Sequence, residues 1–150
     1  MRINQETQEL IKHFESLRLV AYQDTGKVWT IGWGHTGKMA RRGITIDVSA
    51  AEMLFREDVE EAEKSVDALV DVDLNENQFG ALVSFVFNLG HDQFSKSTLR
   101  KKLNARQYEA AAKQFPRWVY DDGKKLEGLV RRRLAEQTLF LKPPAPKLPT

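Results

Sequence analysis

The sequence predicts an α+β fold in which a small antiparallel β-sheet lobe is joined by one long helix to a mainly helical lobe. Three observations carry that prediction. Leu19-Val20-Ala21-Tyr22 and Val28-Trp29-Thr30-Ile31-Gly32-Trp33 flank the turn-forming run Gln23-Asp24-Thr25-Gly26-Lys27, the pattern of a β-hairpin. From Ala51 to Leu69, apolar residues recur every three or four positions, the period of a helix. After Asn75 the helical period returns in successive segments as far as Leu141, without an internal repeat.

The first element is a short amphipathic helix from near Asn4 to Phe14. Asn4 is its N-cap, Leu10, Ile11 and Phe14 share a face, and Glu15 falls at its C-terminal end. The hairpin follows. Ile44 to Ile46, bracketed by Gly43 and Asp47, reads as a third strand of the same sheet. Ser49 and Glu52 have the form of a capping box opening the long helix, which has Ala51, Phe55, Val59, Ala62, Val66 and Leu69 on one side and Glu57, Glu60, Glu61 and Glu63 on the other. Asn75 and Gln78 repeat the capping pattern before Phe79, Leu82, Val83, Val86 and Phe87, a helix apolar on most faces and therefore central, stopped by Gly90. Further helices are expected near Ser97–Leu103, Ala105–Gln114, Phe115–Tyr120 and Leu126–Leu141. Lys142 to Thr150 holds four prolines and reads as an extended, flexible tail.

At 150 residues, 41% hydrophobic and 29% charged, the chain is sized and composed as one globular domain. It has no cysteine, which excludes disulfide staples, thiolate metal sites and cysteine nucleophiles. The first residues lack the apolar stretch of a secretory signal, and no apolar run approaches the ~20 residues of a membrane span. The net charge of +2 hides a segregation: Asp47 to Glu76 holds 11 acidic residues against Arg56 and Lys64, whereas Gln93 to Lys142 holds 13 basic against 5 acidic. A basic half suits an anionic polymer, either nucleic acid or cell wall; an ordinary solvated face is the competing reading. The chain matches none of the usual nucleic-acid motifs, so no nucleic-acid partner is expected.

Glycoside hydrolysis needs two carboxyl groups in different surroundings, one keeping its proton for the leaving oxygen and one ionised across the sugar. Glu15, among Phe14, Leu17 and Leu19, is set for the first role, and Asp24, on a polar turn, for the second. Thr30 follows on the returning strand, where its hydroxyl can face the same pocket and hold a water. Taken alone, this spacing is weak evidence, because both carboxylate positions are common structural choices.

Phe14-Glu15-Ser16-Leu17-Arg18-Leu19-Val20-Ala21-Tyr22-Gln23-Asp24, continuing to Trp29-Thr30-Ile31-Gly32-Trp33-Gly34-His35-Thr36, resembles the active-site segment of the phage-type lysozymes. The resemblance continues through Ser84-Phe85-Val86-Phe87-Asn88-Leu89-Gly90 and Gly128-Leu129-Val130-Arg131-Arg132-Arg133-Leu134-Ala135-Glu136. It implies the lysozyme-like two-lobed fold and an endolysin muramidase that hydrolyses the β-1,4 bond between N-acetylmuramic acid and N-acetylglucosamine. It implies Glu15 as general acid, Asp24 as base or electrostatic partner and Thr30 as the residue that orients the attacking water. It implies no metal and no organic cofactor. A single displacement with inversion is expected, which requires the carboxyl groups to stand about 6.5–9.5 Å apart.

By the same resemblance Thr36, Phe87 and Ser97 contact substrate, with core packing the competing reading for Phe87. His35 pairs with Asp58, an ion pair expected to depress the Asp58 pKa. Asn88 either bonds backbone near its helix end or lines the cleft. Of Arg131, Arg132 and Arg133, at most one is expected to reach the interior, since successive helical residues turn by about 100°.

Residues 1–142 then form the catalytic domain, with a small lobe over about 15–50 and a helical lobe over about 70–142 that includes the N-terminal helix. Residues 143–150 form the proline-rich tail. The chain is expected to be a monomer without a stable membrane anchor, to accumulate in the host cytoplasm, and to reach the periplasm and its peptidoglycan substrate through a holin-type pore. The competing functions are a lytic transglycosylase acting on the same bond, against which Asp24 and Thr30 argue, and a non-catalytic wall-binding module.

Overall fold

In the computed structural model, which describes residues 1–146, the chain opens with helix α1 (Gln5–Glu15). Asn4 caps it, the side chain accepting from Thr7 N at 3.0 Å. Ser16 ends it: its φ of 56° turns the chain out of the helix while its N–H still bonds Lys12 O. Glu15 is therefore the last helical residue, held by the helix behind it and the turn ahead.

Strands β1 (Arg18–Gln23) and β2 (Trp29–Gly32) pair antiparallel, with Tyr22 opposite Thr30 and Gln23 opposite Trp29. The third strand expected at Ile44 to Ile46 is reduced to one bridge between Val20 and Thr45. Ala21 N donates to Ile44 O and Ile46 N to Leu19 O, each at 2.9 Å, and Asp47 then starts the next helix before a ladder can extend.

Helix α2 (Val48–Leu69) is 22 residues long. Its cap is Asp47, which accepts from Ala50 N at 2.8 Å, and not the expected Ser49, which lies inside the first turn. Glu63, assigned to the outer face from its spacing, points inward and accepts from Ile3 N at 2.7 Å; this orphan donor before α1 explains the buried carboxylate. Lys12 of α1 reaches Glu52 of α2 at 2.5 Å and lies over the Trp33 ring, tying the two helices together.

Helix α3 (Glu76–Leu89) is the central helix, opened by the reciprocal capping box of Asn75 and Gln78. It packs on α1, α2 and, most extensively, on the last helix, α7 (Glu127–Leu141). Phe79, Leu82 and Phe85 are fully buried, and Phe85 is met edge-on by Phe94, Phe115 and Trp118 at ring separations of 6.1, 5.5 and 5.6 Å. At Gly80 a side chain would collide with Thr7 of α1, so the missing Cβ sets how closely the two helices approach.

Between α3 and α7 lie α4 (His91–Lys96), α5 (Thr98–Asn104) and α6 (Tyr108–Ala112), followed by a single 3₁₀ turn (Phe115–Arg117). The helix expected over Phe115–Tyr120 stops at that turn. A small hairpin, β3 (Tyr120–Asp121) and β4 (Lys124–Lys125), takes its place, its turn made by Asp122 and Gly123, both at positive φ. Lys142 and Pro143 lie against α3, their carbonyls accepting from Asn77 Nδ2 at 3.1 and 3.2 Å. Residues 147–150 of the expected tail lie outside the described residues.

Candidate active site

Glu15 stands where the two lobes meet, its side chain 16% exposed. On the sheet-lobe side it is faced by Gly34. That residue's φ is +76°, and a Cβ there would overlap the Glu15 carboxylate, so only glycine brings the backbone this close. On the helical-lobe side, Arg132 of α7 donates from one terminal nitrogen to Glu15 Oε2 at 2.6 Å. The expected apolar setting of Glu15 is thus corrected to one dominated by a guanidinium.

Arg132 is itself almost wholly buried. Its second terminal nitrogen donates to the Ser84 carbonyl at 3.1 Å and its Nε to Glu136 Oε2 at 3.3 Å. Ser84 Oγ donates to the same Glu136 oxygen at 2.6 Å. Arg133 is buried beside it, with Nε 2.9 Å from Glu136 Oε1 but off the line of a hydrogen bond, and with a terminal nitrogen on Asn88 Oδ1. Two of the three consecutive arginines therefore reach the interior, against the expectation of one at most. Adjacent helical positions can both turn inward here because Glu136, three and four residues on, lies between them as a shared anion. Burial pushes the Glu136 carboxyl up and the Arg133 guanidinium down to about 10, each opposed by the other's charge.

Asp24 lies at the start of the hairpin turn, exposed, with Oδ1 accepting from the backbone N–H of Gly26 and of Val28 at 2.8 Å each. Those bonds fix the carboxylate and leave its second oxygen uncommitted. Thr30 is buried on β2 and its hydroxyl donates to Val28 O at 3.0 Å, so the same strand turn holds both side chains. Thr25, next to Asp24, donates to Asp121 Oδ2 of the β3–β4 hairpin at 3.2 Å.

His35 Nδ1 lies 2.8 Å from Asp58 Oδ2, fastening the loop after β2 to α2. The Asp58 carboxyl is nevertheless raised rather than depressed. Loss of solvation outweighs the attraction of His35, and Glu61 and Glu57 on the same helix add repulsion. Thr36 and Phe87 both line a cavity of about 340 Å³, which His35, Asp58, Glu61 and His91 also line. Ser97 is not brought to it. Ser97 is buried, donating to Phe94 O at 2.7 Å and accepting from Arg100 N at 3.1 Å, and so caps α5 instead of facing a ligand. Among the described residues no three potential metal-ligating side chains gather.

Glu136 and the paired role of Arg132 are the parts that the residue-level reading missed. Their signal was an arginine pair with a glutamate at the three- and four-residue spacing, in a helix with apolar neighbours.

The sequence pattern of phage lysozymes matches residues 12–136, most of the chain. This chain belongs to the phage lysozyme family. Among phage lysozyme relatives, the endolysin of Bacillus phage B103 is 45% identical over 143 residues, which are 94% of this chain and 54% of that protein. The chain thus spans about half the length of that relative. The endolysin of Salmonella phage P22 is 39% identical over 145 residues, 94% of this chain and 99% of that one. The solved muramidase domain of SpmX from Asticaccaulis excentricus shares the fold at a TM-score of 0.86, with 38% identity, over 95% of this chain and 99% of that domain. The two-lobed α+β arrangement is thereby a lysozyme fold, and the family match runs from α1 into the buried arginine cluster of α7.

Proposed function

We propose that this phage lysozyme is a muramidase that hydrolyses the β-1,4 bond between N-acetylmuramic acid and N-acetylglucosamine in peptidoglycan. The observation that carries this reading is the placement of Glu15, between Gly34 of one lobe and Arg132 of the other, at the junction where a polysaccharide chain would lie.

Glu15 in its protonated form delivers its proton to the glycosidic oxygen as the bond breaks. Arg132, already 2.6 Å away, meets the negative charge that appears on Glu15 at that moment, an interaction stronger in the transition state than before it. Asp24 serves as base through its free oxygen, and Thr30 steadies the attacking water through the lone pairs that its bond to Val28 leaves open. Thr36 and Phe87, walling the cavity beside His35, bind the sugar chain. Residues 1–142 form the catalytic unit, the sheet lobe and the helical lobe closing on the substrate from opposite sides.

No helix among the described residues is long and apolar enough to cross a membrane. The chain acts as a monomer, accumulates inside the host cell and reaches the wall through a holin-type pore. The test of the reaction is product analysis on purified peptidoglycan. Hydrolysis leaves a reducing N-acetylmuramic acid end; a 1,6-anhydro end identifies a transglycosylase and overturns the proposal.

A further inference from the structure

The reading of Glu15 as acid leaves Glu136 without a task, yet this carboxylate is completely buried and surrounded by donors. Ser84 Oγ lies within 3.5 Å of a terminal nitrogen of Arg132, which gives the hydroxyl a donor of its own and leaves its proton for Glu136 Oε2. Arg132 Nε donates to the same oxygen, while Arg133 Nε lies 2.9 Å from Oε1 in an ion pair without a hydrogen bond. The donors on Oε2 and the two guanidinium charges favour the ionised, acceptor-only form of Glu136 and oppose the burial that pushes its carboxyl up.

One guanidinium is thereby shared between two carboxylates, Glu15 on α1 and Glu136 on α7. A lone buried cation against Glu15 would hold it ionised and deprive it of the proton it must donate. The second carboxylate offsets that field while fixing the guanidinium in place. Arg133 is the second cation of the cluster, held on the far oxygen of Glu136, so that without the Glu136 charge two guanidinium groups would act on Glu15; the other groups described around the cluster are uncharged or turned away. α3 offers Ser84 and Asn88, the 3₁₀ turn and α6 bury Phe115, Ala111 and Ala112, the sheet lobe presents the Gly34 backbone, and Lys12 of α1 is turned to Glu52.

We propose that Glu136 is a positioning residue for the reaction, holding Arg132 against Glu15 and offsetting its charge so that Glu15 retains a transferable proton. This rests on Glu15 being the acid. That assumption fails separately, if Glu15→Gln retains activity.

The experiment is the pH profile of kcat/KM for wall hydrolysis by wild type, Glu136→Gln and Glu136→Asp. Removing the charge in Glu136→Gln moves the alkaline limb about one pH unit down, roughly a tenfold loss at a fixed pH on that limb, as expected for one charge lost beyond a shared guanidinium at an effective dielectric of about 20. Glu136→Asp keeps the charge but shortens the reach, so the limb stays in place while kcat falls and KM is unchanged. A Glu136→Gln profile that superimposes on wild type after scaling overturns the proposal. If Glu136→Gln does not fold, carbon-detected NMR titration of the wild type decides: Glu136 ionised throughout the alkaline limb supports the proposal, and Glu136 protonated there overturns it.

Discussion

Arg132 and Glu15 are joined at 2.6 Å across 117 positions of sequence, linking the last helix to the end of the first at the junction of the lobes. A guanidinium at a general acid makes that acid stronger and receives the charge it leaves behind. Exchanging Arg132 for Met therefore weakens Glu15 as an acid. The expected result is a lower kcat, with the alkaline limb of the rate profile moved to higher pH, the opposite direction to Glu136→Gln. Because Glu136 would lose one of its partners in the interior, stability falls by about 3–5 kcal/mol. Denaturant unfolding and a pH–rate profile measured on the folded fraction check the two effects.

Gly34→Ala tests the approach of the sheet lobe to Glu15. The new methyl group meets the Glu15 side chain and the backbone stays at positive φ, so about 1–3 kcal/mol of stability is lost. Activity falls further than stability accounts for, because the acid itself is displaced. Turnover comparable to wild type at matched folded fraction would contradict the placement of Gly34 beside the reacting bond.

Asp58 gives a pH dependence with a definite sign. Its carboxyl is raised in the folded protein above the ordinary value of 3.8, so the folded state holds that proton more tightly than the unfolded chain. Its contribution to stability is fully present below about 3.8 and is lost as pH rises through the folded value. Asp58→Asn removes this slope. Urea midpoints measured from acid to neutral pH should fall less steeply for the variant than for wild type. An unchanged difference between the two across that range would refute the assignment.

The parts of the fold that were legible in the sequence are those whose signal is local. Asn4, and Asn75 with Gln78, cap their helices as their positions indicate, and the period-two stretches around Asp24 pair as a hairpin. What was illegible depends on the three-dimensional neighbourhood. Asp47 and Ser49 are both good caps two residues apart, and only the path of the chain into α2 selects Asp47. The β3–β4 hairpin has two residues per strand, too few to show a period. Thr36 and Phe87 line one cavity, while Asp24 and Thr30 are held together by the hairpin turn through Val28. Ser97 instead serves the backbone, because a serine before a helix satisfies orphan N–H groups wherever it lies. Arg132, Arg133 and Glu136 escaped a residue-level reading because a run of charges ordinarily marks a solvated face. Their burial depends on Glu15 and Ser84, which approach from distant parts of the chain.

The central claim is that Glu15 is the proton donor, and the most direct test compares turbidity loss of bacterial wall suspensions by wild type and Glu15→Gln at matched folding. The amide keeps the shape of the side chain and its contact with Arg132 but has no proton to give, and the account predicts a rate lower by about 10²–10⁴-fold. Clearing by Glu15→Gln at the wild-type rate would contradict it.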